Sequence, residues 1–301
     1  MDNLLMDNLT KPSSDYPLSI DEVDLSPWTL QPIRLEVLRL DKIHPIISGN
    51  KWFKLKGWLQ QAMTSPGRQI ITFGGAWSNH IIAAAYAAKD AGLRSIGIIR
   101  GEQPTRLSHT LQAAAGYGMQ LEFVNRETYQ QKEDPAFLRQ LSDRYPGSVI
   151  IPEGGAGAPG IAGSREILDA VDRSQYTHIL CALGTGTMYQ GLSAAALPGQ
   201  SVIGIAVLKG FPAPSPAGSH RIIPDYHFGG YARQTEALLD FMNTFHQFTG
   251  IPSDFVYTAK LFYAALDLIH RNLFPAGSRL LAIHSGGLQG NLSLPPGRLR
   301  F

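Results

Sequence analysis

Cysteine is nearly absent from the chain: its 301 residues include one, Cys181. A single cysteine excludes an internal disulfide, and within the apolar run 178–183 it reads as a small buried hydrophobe rather than a nucleophile. Long apolar stretches are lacking as well. The longest, 81–88, falls far short of the roughly 20 residues that span a bilayer. Residues 1–11 carry two aspartates and no apolar segment of signal-peptide length. A soluble, cytoplasmic protein with no membrane partner is expected. Neither sign of charge dominates: 26 basic and 24 acidic side chains leave a formal +2, without a basic stripe, which argues against a nucleic-acid partner. The nine histidines have no metal-ligand spacing, so no metal is expected.

What is present is a 44% hydrophobic composition, enough to build a sizeable core in two modest lobes. Short apolar runs alternate with helical segments, the pattern of parallel sheets covered by helices. Strands are expected at 69–73, 95–99, 119–124 and 148–151, with helices at 79–91, 107–117 and 135–145. A glycine-rich stretch, 153–160, reads as a crossing between lobes. A second series follows: helix 162–171, strand 178–183, helix 188–196, strand 201–207, helices 235–248 and 259–272, and strand 279–283. Residues 210–230, dense in proline and glycine, read as a long loop over a site. The tandem MDNL at 1–4 and 6–9 is too short to be a structural repeat.

Three clusters could carry chemistry. In Ser48-Gly-Asn-Lys51-Trp-Phe-Lys-Leu-Lys56, Lys51 falls at an expected helix N-terminus, whose positive dipole end favours a neutral amine, whereas Lys54 and Lys56 read as solvated helix positions. Gly74-Gly-Ala-Trp-Ser-Asn-His80 joins a strand to a helix and aims free N–H groups at a carboxylate, although Ser78 or Asn79 could simply cap that helix. It lacks the flanking glycines of a hydrolase elbow. Leu183-Gly-Thr-Gly-Thr-Met188 again opens a helix after a strand and suits a phosphate monoester. Tyr189 occupies its third dinucleotide-glycine position, so it is not a dinucleotide fingerprint.

Together, Gly49-Asn-Lys51, Gly74-Gly-x-x-Ser-Asn-His80, Gly184-Thr-Gly-Thr187, Val256-Tyr-Thr-x-Lys260 and His284-Ser-Gly-Gly287 resemble, in order, the motifs of the D-cysteine desulfhydrase and 1-aminocyclopropane-1-carboxylate (ACC) deaminase family. These are pyridoxal 5'-phosphate (PLP) enzymes. The resemblance implies an α/β fold of the tryptophan-synthase-β-like type, with two open parallel-sheet lobes. The small lobe, 52–160, is inserted into a large PLP-binding lobe of 1–51 and 161–301, and the protein is a homodimer. It further implies that Lys51 holds PLP as an imine and shuttles the α-proton, while Ser78, Asn79 and His80 hold the substrate carboxylate, Asn79 also touching the cofactor ring oxygen. Gly184, Thr185, Gly186 and Thr187 cradle the phosphate, and Tyr231 and Tyr257 match two active-site tyrosines.

Three positions bear on the substrate. Thr258 stands where the deaminases carry a glutamate facing the pyridine nitrogen, and Ser285 and His80 replace a deaminase leucine and glutamine. A hydroxyl partner makes the ring a weaker electron sink, which suits β-elimination of a good leaving group. The expected activity is therefore conversion of a small D-amino acid such as D-cysteine to pyruvate, ammonia and sulfide. ACC deamination is the nearest alternative; a serine racemase or dehydratase and a catalytically silent PLP-binding protein are the others. Phe53, usually arginine, and Trp77, usually glutamine, are expected to make the pocket mouth bulkier and more apolar. Glu153 reads as a solvated loop residue.

Overall fold

The computed structural model describes residues 18–211 and 220–301. The MDNL pair and residues 212–219 of the expected long loop lie outside these. Four short apolar runs form the strands β3 (Gln69–Gly74), β4 (Arg94–Arg100), β5 (Met119–Val124) and β6 (Val149–Ile151). They pair in parallel in the order β5-β4-β3-β6. β3 is buried along its whole length, as expected of a strand covered on both faces.

The second sheet has six strands: β1 (Ile20–Val23), β2 (Arg34–Arg39), β7 (His178–Leu183), β8 (Ser201–Ala206), β9 (Arg221–Ile223) and β10 (Arg279–His284). Their order is β1-β2-β10-β7-β8-β9. β1 runs antiparallel to β2, so this sheet is mixed rather than wholly parallel, a correction to the expected pair of parallel sheets. β1, β2 and β9 had no distinct signal. The two outermost, β1 and β9, are only four and three residues long, as is common for edge strands that cannot template further pairing.

The helices are α1 (Asn50–Thr64), α2 (Asn79–Asp90), α3 (His109–Gly116), α4 (Arg126–Gln130), α5 (Pro135–Arg144), α6 (Ala158–Arg165), α7 (Thr187–Ala195), α8 (Glu236–Thr249) and α9 (Thr258–His270). Side-chain caps from Ser78, Ser108, Asn125, Asp134 and Thr235 start five of them. α6 begins at Ala158 rather than near 162, because Gly157 at φ 99° turns the chain and Pro159 suits a first helical turn.

Strand order locates the site. In the small sheet the order reverses between β3 and β6, and in the large sheet between β7 and β10. Such switch points open a crevice at the carboxyl ends of parallel strands. The turns leaving β3, β6, β7 and β10 carry Ser78, Glu153, Gly184 and Ser285, and all four line one cavity.

α1 lies against α6 closely enough that a Cβ on Gly163 would come 2.0 Å from the Phe53 carbonyl oxygen. Gly163→Ala is therefore expected to destabilise the protein by about 1–3 kcal/mol, read as a lower urea midpoint. Gly116→Ala, with nothing within 4 Å of the added carbon, should leave the midpoint unchanged or raise it.

Candidate active site

The cavity measures about 330 Å³ and takes side chains from both sheets. Gly49, at φ 70°, brings α1 onto the end of β10 so tightly that a Cβ there would sit 1.8 Å from the Ser285 carbonyl oxygen, which accepts the Asn50 N–H at 3.2 Å. Lys51 follows in the first helical turn. Its Nζ donates to Asn50 Oδ1 at 2.9 Å, and burial pushes its ammonium down to about 8 against the opposing attraction of Asp254. Desolvation thus does most of what the sequence reading assigned to the helix terminus.

Lys54 corrects the sequence reading. It is 5% exposed and lines the cavity, because positions i and i+3 share a helix face. Burial and then the Lys51 charge push its ammonium well below the ordinary lysine value. The signal was present in the spacing. Lys56, by contrast, is only partly buried and pairs with Glu166 at 2.7 Å. Phe53 points away into the core, and Trp77 is exposed. Neither lines the cavity, so the expected bulky apolar mouth is not found.

Ser78 is the N-cap of α2, its Oγ accepting from Ile81 N at 3.3 Å, and it lines the cavity beside Asn79 and His80. Asn79 donates through Nδ2 to the Gly287 carbonyl at 3.3 Å, and its Oδ1 is buried without a partner. His80 meets Thr72 Oγ1 at 2.7 Å through Nε2. Since that hydroxyl donates to the Ile151 carbonyl, Nε2 carries the proton and Nδ1, also orphaned, is a bare acceptor. Burial and the Lys51 and Lys54 charges keep this ring neutral. In this state the imidazole offers no donor toward the cavity, whereas the start of α2 offers backbone N–H groups.

The Gly184–Thr187 turn opens α7 with Gly186 in the left-handed region at φ 80° and no side-chain cap. The first N–H groups of α7 are left for a ligand. Thr185 and Thr187 hydroxyls lie 3.0 Å apart beside them. Uncapped amides, paired hydroxyls and the nearby Lys51 and Lys54 ammoniums fit a phosphate monoester.

The Tyr257 ring packs over Gly184, where a Cβ would lie 3.0 Å from it, and meets Tyr231 edge-on at 6.1 Å between centroids. Burial pushes both phenols up. Thr258 does not line the cavity. It is fully buried, its Oγ1 donating to Asp254 Oδ1 at 2.8 Å and accepting from Asp254 N at 2.7 Å. The ring-nitrogen role that the resemblance implies for Thr258 therefore finds no free hydroxyl there. Ser285 does line the cavity, and among the described residues its hydroxyl makes no hydrogen bond. Lys260, fully buried, donates to the carbonyls of His227 and Gly230 at 2.9 and 2.7 Å and so pins the turn that presents Tyr231. Glu153 lines the cavity and pairs with Lys132 at 3.6 Å while its side chain stays 37% exposed, so it is still partly solvated. Cys181 is buried in β7, and burial pushes its thiol up to about 12.

No family model matches the chain. A Pyrococcus abyssi protein provisionally named an ACC deaminase is 28% identical over 270 residues, covering 81% of each chain. A mitochondrial bifunctional D-cysteine desulfhydrase/ACC deaminase of Arabidopsis thaliana is 26% identical, across 93% of this chain and 79% of its own. The D-cysteine desulfhydrase of Salmonella typhi is 25% identical, across 83% and 86%. Among solved structures, an ACC deaminase homologue matches 96% of this chain and 95% of its own with a TM-score of 0.78 at 22% identity. A cysteine synthase of Entamoeba histolytica matches 94% and 89% with a TM-score of 0.69 at 15% identity.

The depressed Lys51 pKa has a measurable consequence in the cofactor-free protein. The folded state releases this proton near 8 and the unfolded state near 10.5, so between these values the unfolded chain binds more protons and stability rises with pH. The burial penalty is full below about 8. Lys51→Met removes it, so the variant should exceed the parent in urea midpoint at neutral pH, with the gap closing as pH rises toward 10.5. A gap independent of pH would show that Lys51 titrates normally.

Proposed function

We propose that this chain, a relative of the D-cysteine desulfhydrases and ACC deaminases, is a PLP-dependent lyase that eliminates the β-substituent of a small D-amino acid such as D-cysteine, releasing pyruvate, ammonia and sulfide. The observation that carries this reading is the pairing, in one cavity, of a near-neutral buried lysine with an uncapped glycine-threonine helix terminus. PLP, when bound, supplies an electron-withdrawing ring that acidifies the α-carbon of an attached amino acid.

The residues present fit that group. Gly184 to Thr187, with Lys54, would hold its phosphate, Lys51 would attach it, Ser285 would meet its ring nitrogen, and Asn79, whose Oδ1 alone lacks a partner, would lie along its ring edge. The backbone N–H groups of Asn79 and His80 orient the substrate carboxylate. Lys51 Nζ, once released, takes the α-proton; its lowered pKa leaves the amine competent as a base near neutral pH. The Cβ–S bond then breaks and the sulfur leaves with the bonding pair. Tyr257 and Tyr231, held protonated, are placed to give that sulfur a proton. Water completes the conversion to pyruvate and ammonia. A hydroxyl rather than a carboxylate at the ring nitrogen favours this elimination over ACC ring opening, which has no leaving group at the β-carbon. The resemblance also supports a homodimer working on free amino acid in the cytoplasm; no helix among the described residues is long and apolar enough to cross a membrane.

Protein reconstituted with PLP is expected to show a visible band that shifts on adding D-cysteine while pyruvate accumulates. A band indifferent to every small amino acid would leave a binding protein without turnover. Borohydride should fix the cofactor on the parent and on Lys54→Gln, the latter with weaker cofactor retention, but not on Lys51→Ala. Trapping on any other lysine would overturn the assignment.

A further inference from the structure

The turnover proposed above leaves one cavity cation without a task. Arg100 ends β4 at the carboxyl edge of the small sheet and lines the cavity. Its guanidinium reaches over the turn that leads into α2, since a Cβ on Gly75 would lie 3.3 Å from Nη2. Among the described residues it has no carboxylate within ion-pair distance. Glu153, the acid on this side of the cavity, is paired with Lys132. What Arg100 does touch is the ring of Tyr129, 5.7 Å from its centre. That phenol is pushed up by burial and by the neighbouring Glu153, so the ring beneath the guanidinium is itself uncharged.

An arginine is charged at any physiological pH and offers a planar fork of donors matched to a carboxylate or phosphate. A small neutral-side-chain substrate does not call on it: its α-carboxylate is met by the start of α2, and the cofactor phosphate by the start of α7. We propose that Arg100 is a specificity residue, and that the preferred substrate carries a second acidic group, a carboxylate or phosphate on its side chain. This rests on the reading of the cavity as a PLP-amino-acid site and narrows its substrate class.

The test uses the PLP-loaded protein and two probes of equal size that differ in side-chain charge, D-aspartate and D-asparagine, with binding read by calorimetry. The parent should bind the acid at least about tenfold more tightly than the amide, the scale of one charge-assisted pair. In Arg100→Gln the ratio should fall to about one, and in Arg100→Lys it should lie between, a point charge replacing the fork. A parent that binds both alike, or a preference that survives Arg100→Gln, overturns the assignment of Arg100. If D-cysteine is nevertheless converted to pyruvate, the elimination reading stands and only the acidic-substrate proposal fails. If no amino acid binds or shifts the cofactor band, both fail together.

Discussion

The site depends on a backbone contact with no room for a side chain. Gly49 lies against the Ser285 carbonyl, and Gly286 answers it: a Cβ on Gly286 would come 2.8 Å from Gly49 Cα and 2.6 Å from Ser48 Oγ. Both glycines have positive φ, so a substitution at either would be strained as well as crowded. Gly287 completes the arrangement, accepting through its carbonyl from Asn79 Nδ2. The segments carrying Lys51 and Ser285 are thereby fixed to each other through main chain, and the Asn79 side chain ties the third segment to the same turn. Behind them, His284 donates from Nε2 to the Pro252 carbonyl and accepts the Gly286 N–H, so a buried neutral imidazole fixes the turn's direction.

Electrostatics follow from that close packing. Lys51, Lys54 and Arg100 all line a cavity whose opposing lining carboxylate, Glu153, is already paired. Asp254 lies outside the lining and is saturated, taking hydrogen bonds from the amides of Val256, Tyr257 and Thr258 and from the Thr258 hydroxyl. Arg100 is exposed and keeps its hydration, but a lysine ammonium taken out of water costs folding free energy unless an anion joins it. Neither cavity lysine has an ion-pair partner among the described residues, so stability is given up at the same place where an anionic ligand would restore it.

Much of this was legible in the sequence. Parallel strands buried on both faces read as continuous apolar runs, and the turns between strand and helix carried recognisable glycines, serines and threonines; thirteen of the strands and helices fall where periodicity put them to within two residues. The misses share a physical cause. β1, β2 and β9 are edge or near-edge strands whose pairing depends on distant partners, which local pattern does not encode. Lys54 looks like a surface charge until tertiary packing closes over it, and Glu153, still partly exposed, comes to the cavity only through the turn after β6. Phe53 and Trp77 were judged by their nearness in sequence to Lys51 and Ser78, yet helix geometry turns Phe53 into the core and leaves Trp77 in solvent. The Thr258 hydroxyl is bonded to Asp254, the carboxylate four residues earlier, a partnership that the sequence pattern does not announce.

That last point alters the chemistry as well as the bookkeeping of residues. Were Thr258 free, the ring nitrogen of a bound cofactor would face a hydroxyl in the same layer as Asp254, and the carboxylate could lend it charge through one intervening group. With Thr258 bonded to Asp254 in both directions, the acid's charge is absorbed by four donors. On the proposed reading Ser285, which lines the cavity with its hydroxyl unbonded among the described residues, is then the hydroxyl left for the ring. A serine accepts or donates according to need and does not force the nitrogen to stay protonated. With such a partner the electron demand of the proposed site would be modest, sufficient where the departing group stabilises its own electron pair, as a thiolate does, and poorly matched to a carbon–carbon bond.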